Sequence, residues 1–208
     1  MQSQDIPDSR PAAKPTLLVT LAFITERLNL GKQFSSAQPL EVELGSGDGS
    51  FLANYAKLHP ERNFLGVERL LGRLRKLDRK GLRAGLSNLR GLRIESSYCL
   101  EYLLPLASVS ALHIYFPDPW PKRKHRKNRL INDRFTAVAR QALVPGGVVY
   151  LRTDDEDYFA QMVTSFATDA AFKLIDTPAE LSAVVTDFER NFLTRGIATR
   201  RAAYLKGS

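Results

Sequence analysis

The chain of 208 residues predicts an α/β domain built on a mainly parallel sheet. Short apolar runs bounded by turn residues alternate with stretches of helical spacing, the pattern of βαβ units. A glycine-rich turn, Gly45-Ser46-Gly47-Asp48-Gly49, follows directly on an apolar strand and opens a helix. Hydrophobic content of 44% and charged content of 25% are values of a globular domain. This length supports one core of good size rather than two, so residues 16–208 are read as a single domain.

Residues 1–15, polar and proline-rich, read as a disordered tail. Leu17–Leu28 reads as a short helix, and Leu40–Leu44 as the strand that enters the glycine turn. Phe51, Leu52, Tyr55 and Leu58 place a helix over residues 50–58, and Asn63–Val67 is the next strand, closed by Glu68. A helix rich in Arg and Lys covers about residues 70–81. Leu89–Ile94 is a third strand ending at Glu95, and Leu100–Leu104 a short helix. The apolar run Ala111–Phe116 is a buried strand that stops at Pro117. A helix over 133–143 then leads through the turn Val144-Pro145-Gly146-Gly147 into strand Val148–Leu151. Tyr158–Phe166 is a helix, and Phe172–Ile175 and Arg201–Leu205 are closing strands.

The formal charge of +8 points to a polyanionic partner. One cysteine, Cys99, excludes an intrachain disulfide and fits a reducing compartment, and no signal peptide or membrane span is visible, so a cytoplasmic location is expected. The three histidines are scattered and no Cys/His cluster has metal spacing, so no metal is expected. No obligatory protein partner is evident.

In open α/β sheets ligands bind off the carboxyl ends of the strands. Gly45, Gly47 and Gly49 let backbone approach a ligand there, but position 50 is serine, so the dinucleotide pattern is not met. Three acids mark strand ends in order. Glu43 sits inside a strand, where an unpaired carboxylate is costly and a cationic ligand would give it a partner. Glu68 stands where a ribose-binding acid belongs, and Glu95 can accept from an adenine amino group. S-adenosylmethionine fits this set, with its sulfonium, amino group, ribose and adenine and no phosphate. Downstream, Pro117-Asp118-Pro119-Trp120 holds an acid and a flat ring on a stiff loop, followed by six Lys or Arg among the eight residues from Lys122 to Arg129. That combination suits a base on a phosphate chain. Arg69, Arg73, Lys76, Lys80 and Arg83 line one face of the helix after Glu68, a candidate second track for a nucleic-acid backbone.

These residues resemble a known family. Glu43 to Gly49 with Gly66-Val67-Glu68 resembles the cofactor half of a class I methyltransferase. Phe116-Pro117-Asp118-Pro119-Trp120-Pro121-Lys122 with its basic run, followed by Thr153-Asp154 and by Thr186-Asp187-Phe188-Glu189, is similar to the signature of the bacterial tRNA (guanine-N7-)-methyltransferases. The resemblance covers about residues 34–205. It implies a Rossmann-like fold with a seven-stranded, mainly parallel sheet, S-adenosylmethionine as methyl donor, and tRNA as substrate, methylated at a guanine N7 in the variable loop. It implies cofactor contacts at Glu43, Gly45, Gly47, Glu68, Glu95 and Asp118, with Asp118 also catalytic. Lys122, Asp154, Thr186, Asp187, Phe188 and Glu189 would contact the guanine nucleotide. The family commonly has Asp where Glu95 stands, so Ser96 or Ser97 could share the adenine contact. Competing readings are an exocyclic-amine methyltransferase, whose D-P-P-Y-like loop Asp118-Pro119-Trp120 partly matches, and a non-catalytic RNA-binding module on the same fold.

Overall fold

A computed structural model describes residues 15–207; the expected tail lies outside them except for Pro15. In chain order the elements are β1 (Leu18–Val19), α1 (Leu30–Gln33), β2 (Leu40–Leu44), α2 (Ser50–Leu58), β3 (Asn63–Val67), α3 (Leu71–Arg83), β4 (Leu89–Leu92) and α4 (Ser96–Tyr98), which runs on into a π turn at Cys99–Leu103. There follow β5 (Val109–Tyr115), a 3-10 helix at Arg123–Asn128, α5 (Phe135–Ala142), β6 (Leu143–Thr153), α6 (Glu156–Ala167), β7 (Phe172–Ile175), α7 (Ala179–Ala183), α8 (Asp187–Thr194) and β8 (Arg200–Lys206).

The strands form one sheet in the order β1-β4-β3-β2-β5-β6-β8-β7. All neighbours are parallel up to β6, and β8 pairs antiparallel with β6 and β7. The sheet therefore has eight strands and not seven. The extra one is β1, in the stretch expected to be helical. A short isolated helix is marginal in water, whereas β4 presents an open edge, and Leu18 pairs with Gly91 there. The amide of Leu17 donates to Asp78 Oδ1 at 2.7 Å, and its side chain is buried against Gly81, where a Cβ would come within 2.4 Å of it. The turn expected at Val144–Gly147 is instead absorbed into β6, whose register against β5 shifts there, with Gly146 at φ +75°. Such bulged excursions inside a strand are a known use of glycine. Helices α7 and α8 had no sequence counterpart.

The order of pairing reverses between β2 and β5, so their carboxyl ends flank the crevice of a doubly wound sheet. Alternation along the strands sorts the chemistry. Val42, Leu44, Leu112, Ile114, Val149 and Leu151 face an apolar layer with Phe135, Ala139, Met162 and Phe166 of α5 and α6. The opposite face carries Glu41, Glu43, His113, Tyr115, Tyr150 and Arg152, covered by Phe51 of α2 and by Leu181 of α7. Polarity on that buried face is the first sign of a site.

Candidate active site

On the polar face the acids are treated differently. Glu41 is joined to His113 Nε2 at 2.7 Å and accepts from Arg62 at 2.8 Å, while His113 Nδ1 meets the Tyr115 hydroxyl at 2.7 Å. Burial works against its ionisation, but the bonds from His113 and Arg62 hold the Glu41 carboxyl below its ordinary value. Glu43, two residues on and 4% exposed, has no such support. Among the described residues its Oε2 has no hydrogen-bond partner, and neither has the buried Ser46 Oγ. Burial pushes the Glu43 carboxyl up to about 8, against the opposing pull of the Arg152 guanidinium and with the added repulsion of Asp48 and Glu68.

The glycine turn is held from two sides. Glu68 Oε2 accepts from the Gly47 amide at 3.1 Å and Oε1 from the Leu70 amide at 2.8 Å, tying the turn to the start of α3. Asp48 caps Ser50 and is gripped by Lys80 at 2.6 Å. Gly49 sits at φ +73° with its α-carbon pressed on Leu77, so a Cβ there would lie 2.5 Å from the Leu77 Cβ. Glu95 caps α4, accepting from the amides of Ser97 and Tyr98 at 3.0 and 2.8 Å.

Beyond β5 the loop is stiff for the reason the prolines imply, and strained besides. Phe116 and Trp120 both have positive φ, 51° and 44°, which side chains other than glycine rarely adopt. Two contacts hold the strain in place: the Phe116 amide donates to the Arg152 carbonyl at 2.8 Å, and Arg129 Nε donates to the Pro119 carbonyl at 2.7 Å. Asp118, between them, is exposed, and its carboxylate has no hydrogen bond or ion pair among the described residues.

Two adjoining clefts open at the crevice. The larger, about 340 Å³, is lined by Gly45, Glu68, Glu95 and Asp118 together with Leu70, Ile94, Ser96, Ser97 and Trp120. The smaller, about 240 Å³, is lined by Glu43, Gly45, Gly47 and Asp48, and on its far side by Thr186 and Phe188. Gly45, Arg73, Tyr115 and Phe116 border both, so an extended ligand can run from one into the other. All six residues expected at the cofactor thus line one continuous groove. Of those expected at the guanine, Thr186 and Phe188 reach it. Lys122 is exposed at the entry to the 3-10 helix, Asp154 is half-buried just past β6, Asp187 opens α8, and Glu189 lies beneath the groove, 1% exposed. Phe188, half exposed, stacks on Phe116 at 6.0 Å, whereas Trp120 leans on His125 at 5.9 Å.

Sequence reasoning missed Arg152, whose buried guanidinium meets Glu189 and the carbonyls of Leu181 and Val184. Strand alternation puts residue 152 on the polar face, but its partners lie thirty residues downstream. Arg129 belongs by sequence to the basic run, yet it is buried, held by Asp157, Gln161 and the Pro119 carbonyl. Lys80 likewise leaves the α3 stripe for Asp48. Arg69, Arg73, Lys76 and Arg83 remain exposed with no carboxylate partner among the described residues, and Arg73 and Lys76 stand at the rim of the groove. Reversing both, Arg73→Glu with Lys76→Glu, should raise the tRNA KM and lower the log–log salt slope of tRNA binding by about 1–2. Titration of tRNA binding against salt checks this, and an unchanged slope makes the stripe a solvated face.

The fold and this groove define a class I methyltransferase. A family model described as "Putative methyltransferase" matches residues 37–202. The chain is 34% identical over 182 residues to the tRNA (guanine-N(7)-)-methyltransferase of Halorhodospira halophila, covering 81% of this chain and 75% of that one. It is 30% identical over 200 residues to the protein of that name in Nitrosomonas eutropha, covering 90% and 85%. The chain belongs to the family of tRNA (guanine-N7-)-methyltransferases. Among solved structures it is similar in fold to the 16S rRNA methyltransferase KamB, with a TM-score of 0.65 at 17% identity over 88% of this chain and 95% of that one. A 30S ribosomal A1408 methyltransferase from an uncultured bacterium gives 0.60 at 18% identity, over 85% and 92%. Among the described residues no helix is long and apolar enough to cross a membrane, and no group of three His, Cys, Asp or Glu is placed to hold a metal ion.

Proposed function

We propose that this chain transfers the methyl group of S-adenosylmethionine to N7 of a guanine in tRNA, in the variable loop. The observation that carries the reading is the buried Glu43 carboxylate, whose Oε2 has no hydrogen-bond partner among the described residues, in a groove that Glu68, Glu95 and Asp118 also line from the carboxyl ends of the neighbouring strands. The residues fit the cofactor. Glu43 and Ser46 supply unpaired acceptors for a cationic amino group, and Glu68 retains lone pairs for ribose hydroxyls. Glu95, Ser96 and Ser97 offer acceptors to an adenine edge between Leu70 and Ile94. Bound there, the cofactor would supply an electrophilic methyl on sulfur, whose transfer to N7 exchanges the S–C bond for an N7–C bond and would leave a neutral thioether beside a cationic 7-methylguanine.

Guanine N7 carries a free lone pair at neutral pH, so no base has to activate it. The task of the chain is to orient N7 and to offset the positive charge that moves onto the purine. Asp118 does the second on a loop that cannot swing. It accepts from guanine N1–H or N2–H, which acidify as the ring becomes cationic. Asp154 and Lys122 face the same nucleotide from the β6 end and the basic loop. Phe188, set on Phe116, offers a ring to a base that has left its stack. Lys122, Arg123, Lys124 and Lys127 follow the phosphates.

Incubation with methyl-labelled S-adenosylmethionine and unmodified tRNA tests this directly. 7-Methylguanosine is the expected labelled nucleoside. N6-methyladenosine would instead support the exocyclic-amine reading, and tight tRNA binding with no label the non-catalytic module.

A further inference from the structure

The Thr186–Glu189 segment is expected to contact guanine as a unit, but its parts are differently engaged. Thr186 and Glu189 form a reciprocal cap on α8: the Glu189 amide donates to Thr186 Oγ1 at 3.1 Å, and the Thr186 amide donates to Glu189 Oε2 at 2.9 Å. Glu189 Oε2 also accepts from Arg152 at 2.7 Å, and Oε1 accepts from Arg201 at 2.8 Å. Arg152 on β6 and Arg201 on β8 are directly opposed in the antiparallel pair. Two like charges in that register repel unless a counter-charge lies between them, and Glu189 is that counter-charge. Arg152 goes further, bonding the carbonyls of Leu181 and Val184 and lying 4.3 Å over the Tyr115 ring that borders both clefts.

We propose that Glu189 is a positioning residue: clamped between Arg152 and Arg201, it pins the α7–α8 segment to the sheet and so sets Thr186 and Phe188 as the far wall of the groove, without touching the guanine. Both its oxygens are bonded and the residue is 1% exposed. Asp118 and Asp154, by contrast, have carboxylates with no hydrogen bond or ion pair among the described residues. The guanine edge is therefore open to these two and not to Glu189. The proposal rests on the N7-guanine reading above and refines which acids serve it.

Charge balance supplies the test. Glu189→Met leaves two opposed arginines, one of them fully buried, with nothing between them, and turnover should fall at least about tenfold through a misplaced far wall, with a lower Tm. Adding Arg152→Met removes the buried half of the repulsion, so the double variant should recover most of the lost Tm, while kcat/KM stays low because the Arg152 bonds to the Leu181 and Val184 carbonyls that hold the far wall go with it. A double variant that melts no higher than Glu189→Met means Glu189 is not the counter-charge between the two arginines and overturns the proposal. A second measurement does not depend on that variant folding. The ratio of kcat/KM for tRNA with guanine to that with inosine at the target, which lacks only the 2-amino group, should be the same in Glu189→Gln as in wild type. It should change in Asp118→Asn or Asp154→Asn. A ratio that collapses toward one in Glu189→Gln assigns the contact to Glu189 and overturns the proposal. Wild-type enzyme that forms no 7-methylguanosine on the guanine substrate refutes the parent reading instead.

Discussion

Asp118→Asn should lower kcat by about 10²–10³ while changing the tRNA Kd by no more than about twofold. The size follows from where the residue stands. Its loop is fixed by Pro117 and Pro119, by positive φ at Phe116 and Trp120, and by the bonds from Arg129 and Phe116. None of these involves the Asp118 carboxylate, so asparagine keeps the loop and removes only the charge. What is lost is the counter-charge to a purine turning cationic, an interaction worth more in the transition state than in the ground state. The loss should therefore fall on kcat, visible in single-turnover experiments, with KM for both substrates little moved. Full activity in this variant would remove Asp118 from the reaction.

Much of this site was legible in the chain, and the reasons are local. Glu68 and Glu95 could be placed because each follows an apolar run, and Glu43 because it stands one residue before the end of one; a strand of given length delivers its last residues to a known edge of the sheet. Asp118 could be placed because prolines on both sides leave the backbone few choices. β1 could not, because whether Leu18 and Val19 form helix or strand is settled by the free edge of β4, some seventy residues away. The same holds for the basic residues. Composition shows that Lys80, Arg129 and Arg152 are cations, but only the fold shows that Asp48, Asp157 and Glu189 claim them, leaving the exposed arginines and lysines of α3 and the 122–127 loop to meet a polyanion. Glu189 lies at the limit of what a motif conveys: its presence was readable, its two arginine partners were not.

Cofactor binding should release close to one proton near pH 7, and the proton should come from Glu43. In the free protein this carboxyl has been pushed up to about 8, chiefly by burial, and so is mostly neutral at pH 7. A cationic amino group placed against its orphaned Oε2 restores the charged form and expels the proton. Calorimetric binding enthalpies of S-adenosylmethionine should then vary with the ionisation enthalpy of the buffer, with a slope near one proton between about pH 5 and 7 that fades above about pH 9. Affinity should rise with pH over the same window. Glu43→Gln should show no such slope. Its stability carries the matching sign. Because the folded value lies above the ordinary 4.5, the native state holds an extra proton between about 4.5 and about 8, and the stability tied to it is fully present below that range and lost as pH rises through about 8. Glu43→Gln cannot ionise, so by pH 9 it should exceed wild type in unfolding free energy by an amount on the order of a few kcal/mol. The variant thus gains stability at alkaline pH while losing affinity for the cofactor there. A stability gain without a loss of affinity would mean that the orphaned carboxylate has no cationic partner, and would move the cofactor's amino group away from the smaller cleft.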